Sequence, residues 1–164
     1  AVKLWAKAAG VCDATKANLS SYAFTLLVIY FLQVHPDVQL PVLPVDAFQD
    51  HAKQEADGRV VAAFANWQCT LSVPELLVRF FAFYSNHDST GFDWGREVAS
   101  VRMGTRQMAS NSCFGLLRGR HVSRLHIEDP YQVERNLHGV LGKSEEIQLQ
   151  DALREALRNV LAGK

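Results

Sequence analysis

The chain has 164 residues, 48% of them hydrophobic and 21% charged, with seventeen Lys plus Arg balancing seventeen Asp plus Glu. That length suits one domain, and the composition excludes a disordered tail, a collagen-like fibre and a coiled coil. Zero net charge gives no global field that would announce nucleic acid or a membrane surface, and three widely spaced cysteines (12, 69 and 113) argue against a disulfide framework. The longest apolar run, Tyr22 to Leu32, falls far short of the roughly 20 residues that span a bilayer, so no membrane partner is expected.

In chain order, AVKLWAKAAGV places Val2, Trp5, Ala6 and Ala9 on one helical face and Lys3 and Lys7 on another. No Ser, Thr, Asp or Asn precedes this helix as a cap, so we expect the chain to be a piece of a longer polypeptide. After the polar stretch DATKANLSS, with Ser20 or Ser21 placed to start the next element, a helix over Tyr22–Val34 is apolar almost all round and therefore buried. It stops at His35-Pro36, because proline disfavours helix in the residue before it. PVLP reads as an extended connector, and residues 47–64 read either as a helix or as a mobile insertion. Pro74, at a first helical position, opens a core-facing helix carrying Leu76, Leu77, Phe80, Phe81 and Tyr84. Short strands are expected over Val98–Arg102 and Leu125–Ile127, and a final amphipathic helix over Glu145–Leu161. The expected fold class is α+β, mainly helical, with a small amount of β-sheet.

Catalytic signatures are missing from these residues. The cysteines and six histidines lack metal-ligand spacing, and no P-loop, nucleophile elbow or D-x-D pair of carboxylates occurs. Three polar clusters remain. Lys3 and Lys7, one turn apart, put two ammonium groups on one face, which reads as a solvated face or as an anion site. Ser20-Ser21-Tyr22 stands at a helix N-terminus, where exposed N–H groups favour phosphate, although an ordinary cap followed by a core tyrosine has the same pattern. The window from Val98 to Ile127 holds Arg102, Arg106, Arg118, Arg120 and Arg124 and no acid, which suits a phosphate backbone or a soluble surface equally.

Four blocks in order resemble the template-independent RNA nucleotidyltransferases, the noncanonical poly(A) polymerases and terminal uridylyltransferases. They are VKLWAK; SSYAFTLLVIYFLQ with PVLP; ELLVRFFAFYS with FDW and VASVRMG; and IEDPYQVERNL. The resemblance covers nearly the whole chain apart from Asp46–Leu71. It implies that residues 1–164 form the central, poly(A)-polymerase-associated domain of a polymerase-beta-like nucleotidyltransferase, with 46–71 as an inserted or mobile segment. It further implies a nucleotide held between this domain and a catalytic palm N-terminal to it, whose carboxylates bind two divalent ions, Mg or Mn. By that resemblance Lys3, Lys7 and Ser21 would contact the triphosphate of UTP and Tyr22 would stack on the base. Asp129 would help read the base edge, together with Gln132 and Arg135. The family often has Glu and His at the last two positions. An Arg can still donate to a uracil carbonyl, whereas adenine presents an amino donor there. The expected activity is addition of UMP to RNA 3′ ends, with adenylyl addition, or a non-catalytic module of an RNA-processing complex, as alternatives. RNA, UTP and other proteins of such a complex are the expected partners, and this chain alone is expected to be inactive. Tyr131 and the R-N-L sequence resemble kinetoplastid RNA-editing uridylyltransferases, which implies a mitochondrial location, with the cytoplasm as the alternative.

Overall fold

Aromatic side chains at helical spacing decide how the elements meet. The computed structural model describes residues 1–42, 67–87, 90–110, 114 and 124–163. Among them, helix α1 spans Val2–Ala8, α2 Ser21–Val34, α3 Val73–Tyr84 and α4 Lys143–Leu161, with short 3-10 turns at Ala14–Lys16 and Leu137–Val140. Three short strands, β1 (Glu97–Ala99), β2 (Gln107–Met108) and β3 (His126–Ile127), form a sheet of order β2-β1-β3. β1 pairs antiparallel with β2 and parallel with β3, with Val98 opposite Gln107 on one side and His126 on the other. The fold is α+β and mainly helical, as the periodicity predicts.

α2 is the central helix. Ser20 caps it by accepting from the Ala23 amide at 3.1 Å, and Ala23, Phe24, Leu26, Leu27, Tyr30 and Phe31 are buried. Phe31 meets Phe80 of α3 edge to face, and Phe92 sits among Tyr30, Phe83 and Tyr84. Such contacts add to what area burial alone supplies. Tyr84 is fully buried, yet its hydroxyl is satisfied because it donates to the Leu27 carbonyl at 2.7 Å. Ser72 starts α3 with a reciprocal capping box to Glu75, two residues ahead of the Pro74 that the sequence singles out. α4 lays Leu149, Leu153, Ala156 and Leu157 into the same core.

The largest differences from the sequence expectation are two boundaries and one additional strand. α4 begins two residues earlier, capped by Gly142, whose own amide is held by the Ala17 carbonyl. β1 ends at Ala99 rather than Arg102, because Ser100 turns the chain: its hydroxyl accepts from the Met103 amide and its carbonyl from Gly104, which sits at φ +58°. β2 was not expected, and its pairing with β1 is set by tertiary contact rather than by local pattern. The 47–64 expectation lies outside the described residues, as does most of 46–71. Where the chain is described again, the Trp67 indole donates to the Val38 carbonyl at 2.9 Å.

Candidate nucleotide site

The β3 strand runs into Glu128-Asp129-Pro130, and the next six residues fold back on themselves. The Asp129 amide donates to the Arg135 carbonyl (3.1 Å), the Gln132 amide to the Asp129 carbonyl (3.2 Å), and the Arg135 amide to the Gln132 carbonyl (2.7 Å). A β-bridge between Glu128 and Asn136 closes the loop. Asn136 is its staple: one side-chain oxygen accepts from the Ile127 and His138 amides, each at 3.1 Å.

This loop carries a polar cluster to the start of α2. Asp129 is 4% exposed, and its carboxylate accepts from the Tyr131 amide at 3.0 Å and from the Tyr22 hydroxyl at 3.4 Å through one oxygen. Its other oxygen lies 3.6 Å from an Arg135 guanidinium nitrogen. Partial burial raises the Tyr22 hydroxyl above its ordinary pKa, with Asp129 and Tyr131 adding to the rise. Tyr22, Gln132 and Arg135 are exposed, so Asp129 sits behind them as a buried anchor rather than at the surface. The sequence reading aims Asp129 at a base edge; the structure instead uses both its oxygens to hold the loop, Tyr22 and Arg135. The Gln132 side chain makes no hydrogen bond among the described residues.

The expected phosphate residues lie on the neighbouring helix starts. Ser20 occupies the cap, which leaves Ser21 exposed on the first turn of α2 with its hydroxyl 3.4 Å from the Cys12 sulfur. Lys3 and Lys7 are exposed on α1, and neither forms an ion pair among the described residues. Lys3 and Thr25, which is one turn along α2 from Ser21, stand at an otherwise apolar groove between α2 and α3 that neither Ser21 nor Lys7 lines. The structure thus brings Tyr22, Asp129 and Arg135 together and leaves Lys3, Lys7 and Ser21 exposed beside α2.

The arginine window is corrected. Arg106 grips the Glu97 carboxylate with two bonds of 2.7 Å from Nε and Nη2, and it donates to the Gly91 carbonyl from Nη2 (2.6 Å) and to the Thr90 carbonyl from Nη1 (2.7 Å). Arg102 bonds buried Glu128 at 2.6 Å, and Arg124 bonds Glu146 as well as the Leu141 carbonyl. Burial alone would raise the Glu146 carboxyl, but His138, the Leu125 amide and Arg124 outweigh it and hold the group down at about 2. These three arginines are structural, because acids from outside the window reach in to pair with them. Arg118 and Arg120 lie outside the described residues. The sequence reading gave no role to Glu97, Glu146 and Asn136 and set Glu128 on the surface; Glu97 and Glu128 stand at strand ends, whereas Glu146 comes from α4 and Asn136 from the cap of the second 3-10 turn. Cys12 and Cys69 are free thiols, and no described helix is long and apolar enough to cross a membrane.

Residues 72–135 match the family described as Cid1 family poly A polymerase, and relatives extend the likeness across most of the chain. Human terminal uridylyltransferase 7 is 30% identical over 156 residues, 87% of this chain. The chain belongs to the noncanonical poly(A) polymerase and terminal uridylyltransferase family. Human poly(A) RNA polymerase GLD2, a further relative, is 32% identical over 62% of the chain. The chain spans only 10% of the first of these relatives and 21% of the second. Among solved structures, the Cid1 poly(U) polymerase matches 98% of this chain and 49% of its own at a TM-score of 0.73 and 22% identity. RNA editing TUTase 1 from Trypanosoma brucei, solved with a UTP analog, matches 97% of this chain and 35% of its own at a TM-score of 0.59 and 23% identity. These likenesses show the fold.

Proposed function

We propose that this chain is the base-selecting part of a template-independent RNA uridylyltransferase, acting with a catalytic domain that precedes it in a longer polypeptide. One observation carries the reading. An exposed aromatic ring and an exposed guanidinium, Tyr22 and Arg135, are tied by the same buried carboxylate across 107 residues of sequence. The carboxylate sets a stacking surface beside a fork of hydrogen-bond donors. Stacking on Tyr22 tolerates any base. Arg135 has only donors to offer, so it suits the carbonyl oxygen of uracil and leaves the amino group of adenine without an acceptor. Lys3, Lys7 and the Ser21 hydroxyl would take the triphosphate, where their charge and the first turn of α2 favour anions.

The reaction would join an RNA 3′ oxygen to the α-phosphate of UTP and release pyrophosphate. The described residues contain no cluster of three or more His, Cys, Asp or Glu side chains able to hold a metal. The divalent ions would therefore be held by carboxylates of the preceding domain, where they would stabilise charge on the transferring phosphoryl group. This chain's share is to bind, orient and choose the nucleotide. A second reading, adenylyl transfer, is favoured by the match to the GLD2 poly(A) polymerases.

The test is extension of a labelled single-stranded RNA by the longer polypeptide, given Mg and one nucleoside triphosphate at a time. Extension with UTP well above ATP is expected. ATP above UTP would transfer the protein to the adenylyl reading, and no extension with any nucleotide would remove the enzymatic reading altogether. The 164-residue chain by itself is expected to extend nothing.

A further inference from the structure

The loop that carries Asp129 and Arg135 is closed by a side-chain bond whose direction can be read from its surroundings. Two backbone N–H groups, those of Ile127 and His138, point at one atom of the Asn136 side chain at 3.1 Å each, so that atom is the amide oxygen. The amide nitrogen is then on the opposite side, 3.0 Å from His126 Nδ1. It can only donate. His126 Nδ1 must accept and carries no proton, which makes the ring neutral whenever this bond exists. His126 itself is 0% exposed.

We propose that Asn136 and neutral His126 form a positioning latch for the 129–135 loop, and that charging His126 releases it. A proton on Nδ1 would face the amide N–H groups of Asn136, so the pair would repel where it now bonds. The Asn136 oxygen would lose its fixed direction, and with it the anchor of the Ile127 and His138 amides that brackets Asp129 and Arg135. The idea rests on the base-selecting reading of that loop and adds its regulation: nucleotide binding weakens as the pH falls through the titration of one buried histidine.

The surroundings support neutral His126. The ring of His138, on the 3-10 turn, lies 6.5 Å away and supplies no anion. From α4, Glu146 is already engaged by Arg124 and the Leu125 amide, with His138 Nε2 at 3.8 Å. On the His126 strand itself, Arg124 pairs with Glu146, and Glu128 is taken by Arg102 and Ser100. On β1, Glu97 is taken by Arg106, and α2 contributes no charged side chain. Among the described residues, each of these carboxylates has a cation or donor of its own.

The test is backbone hydrogen exchange on the full chain, expressed as protection relative to intrinsic rates, between pH 8 and pH 5.5. Protection of the Ile127, Asp129 and His138 amides is expected to fall about tenfold towards the acid end, the loss of roughly one hydrogen bond's worth of closure. Core amides of α2 should keep theirs. Asn136→Asp retains the acceptor for both amides and meets a protonated His126, so its protection should hold or rise as the pH falls. His126→Asn offers a non-titrating acceptor near the Nδ1 position and should give a flat profile. A flat wild-type profile, a fall shared equally by α2, or an Asn136→Asp variant that loosens like the parent would each overturn the latch. A parallel measurement of KM for UTP in the longer polypeptide separates the two ideas. Acid loosening without nucleotide use at any pH keeps the latch and removes the uridylyl reading; UTP use without acid loosening does the reverse.

Discussion

Arg106 and Arg135 show two uses of the same side chain in one small protein. Arg106 is 35% exposed and heavily engaged: two bonds to Glu97, bonds to two carbonyls, and its guanidinium 5.5 Å above the Phe83 ring. Arg135 is 59% exposed and holds a single contact of 3.6 Å to Asp129. The first has spent four of its five donors inside the protein, and the second has almost all of them to offer. Arginine content in a stretch of sequence therefore says little about nucleic-acid binding; the number of unspent donors says more.

The widest separation between the two should come from stability. Arg106→Ala leaves Glu97 buried without its cation, and we expect a loss of about 3 kcal/mol, measured by urea unfolding. Arg135→Ala removes only a 3.6 Å contact, and Asp129 keeps the Tyr131 and Tyr22 donors, so the same measurement should fall by less, about 1 kcal/mol. Acid titration sharpens the contrast next. Glu146 belongs to the locked set, and its folded pKa is depressed to about 2 from an ordinary 4.5. Its contribution is therefore present above about pH 4.5 and is lost as the pH falls toward 2, and Glu146→Gln should flatten that part of the stability curve. The site then takes its turn. Arg135→Ala should lower the preference for UTP over ATP about tenfold, the worth of one charge-assisted hydrogen bond, in single-nucleotide extension assays. Tyr22→Phe keeps the stacking ring and removes only a 3.4 Å contact, so nucleotide KM should move by about twofold or less. A tenfold effect there would mean that the hydroxyl itself touches the ligand.

Much of the helical frame was legible locally. The apolar run from Tyr22, the proline after His35 and the Pro74 start fix α2 and α3 from neighbouring residues alone, and Ser72 with Glu75 spells a capping box that could have placed the start of α3 to the residue. The sheet was not legible in the same way. β2 is two residues long, and nothing in Gln107-Met108 marks a strand until Glu97 and Val98 lie beside it. The arginine window misled because its acids stand outside it: Glu128 is 26 positions from Arg102, and Glu146 is 22 from Arg124. A count of charge within a window cannot see partners that the fold brings from elsewhere. The site shows both limits at once. Resemblance named Tyr22, Asp129 and Arg135, but no local pattern joins residues 107 apart, and the burial of Asp129 behind the other two emerges only from packing.

The most direct test of the central claim is the ratio of kcat/KM for UTP to that for ATP, measured on RNA extension by the longer polypeptide and by its Arg135→Ala variant. A ratio well above one that falls about tenfold in the variant is the predicted result. An unchanged ratio, with both activities intact, would show that the base is chosen elsewhere and that the Tyr22–Asp129–Arg135 cluster does not select it.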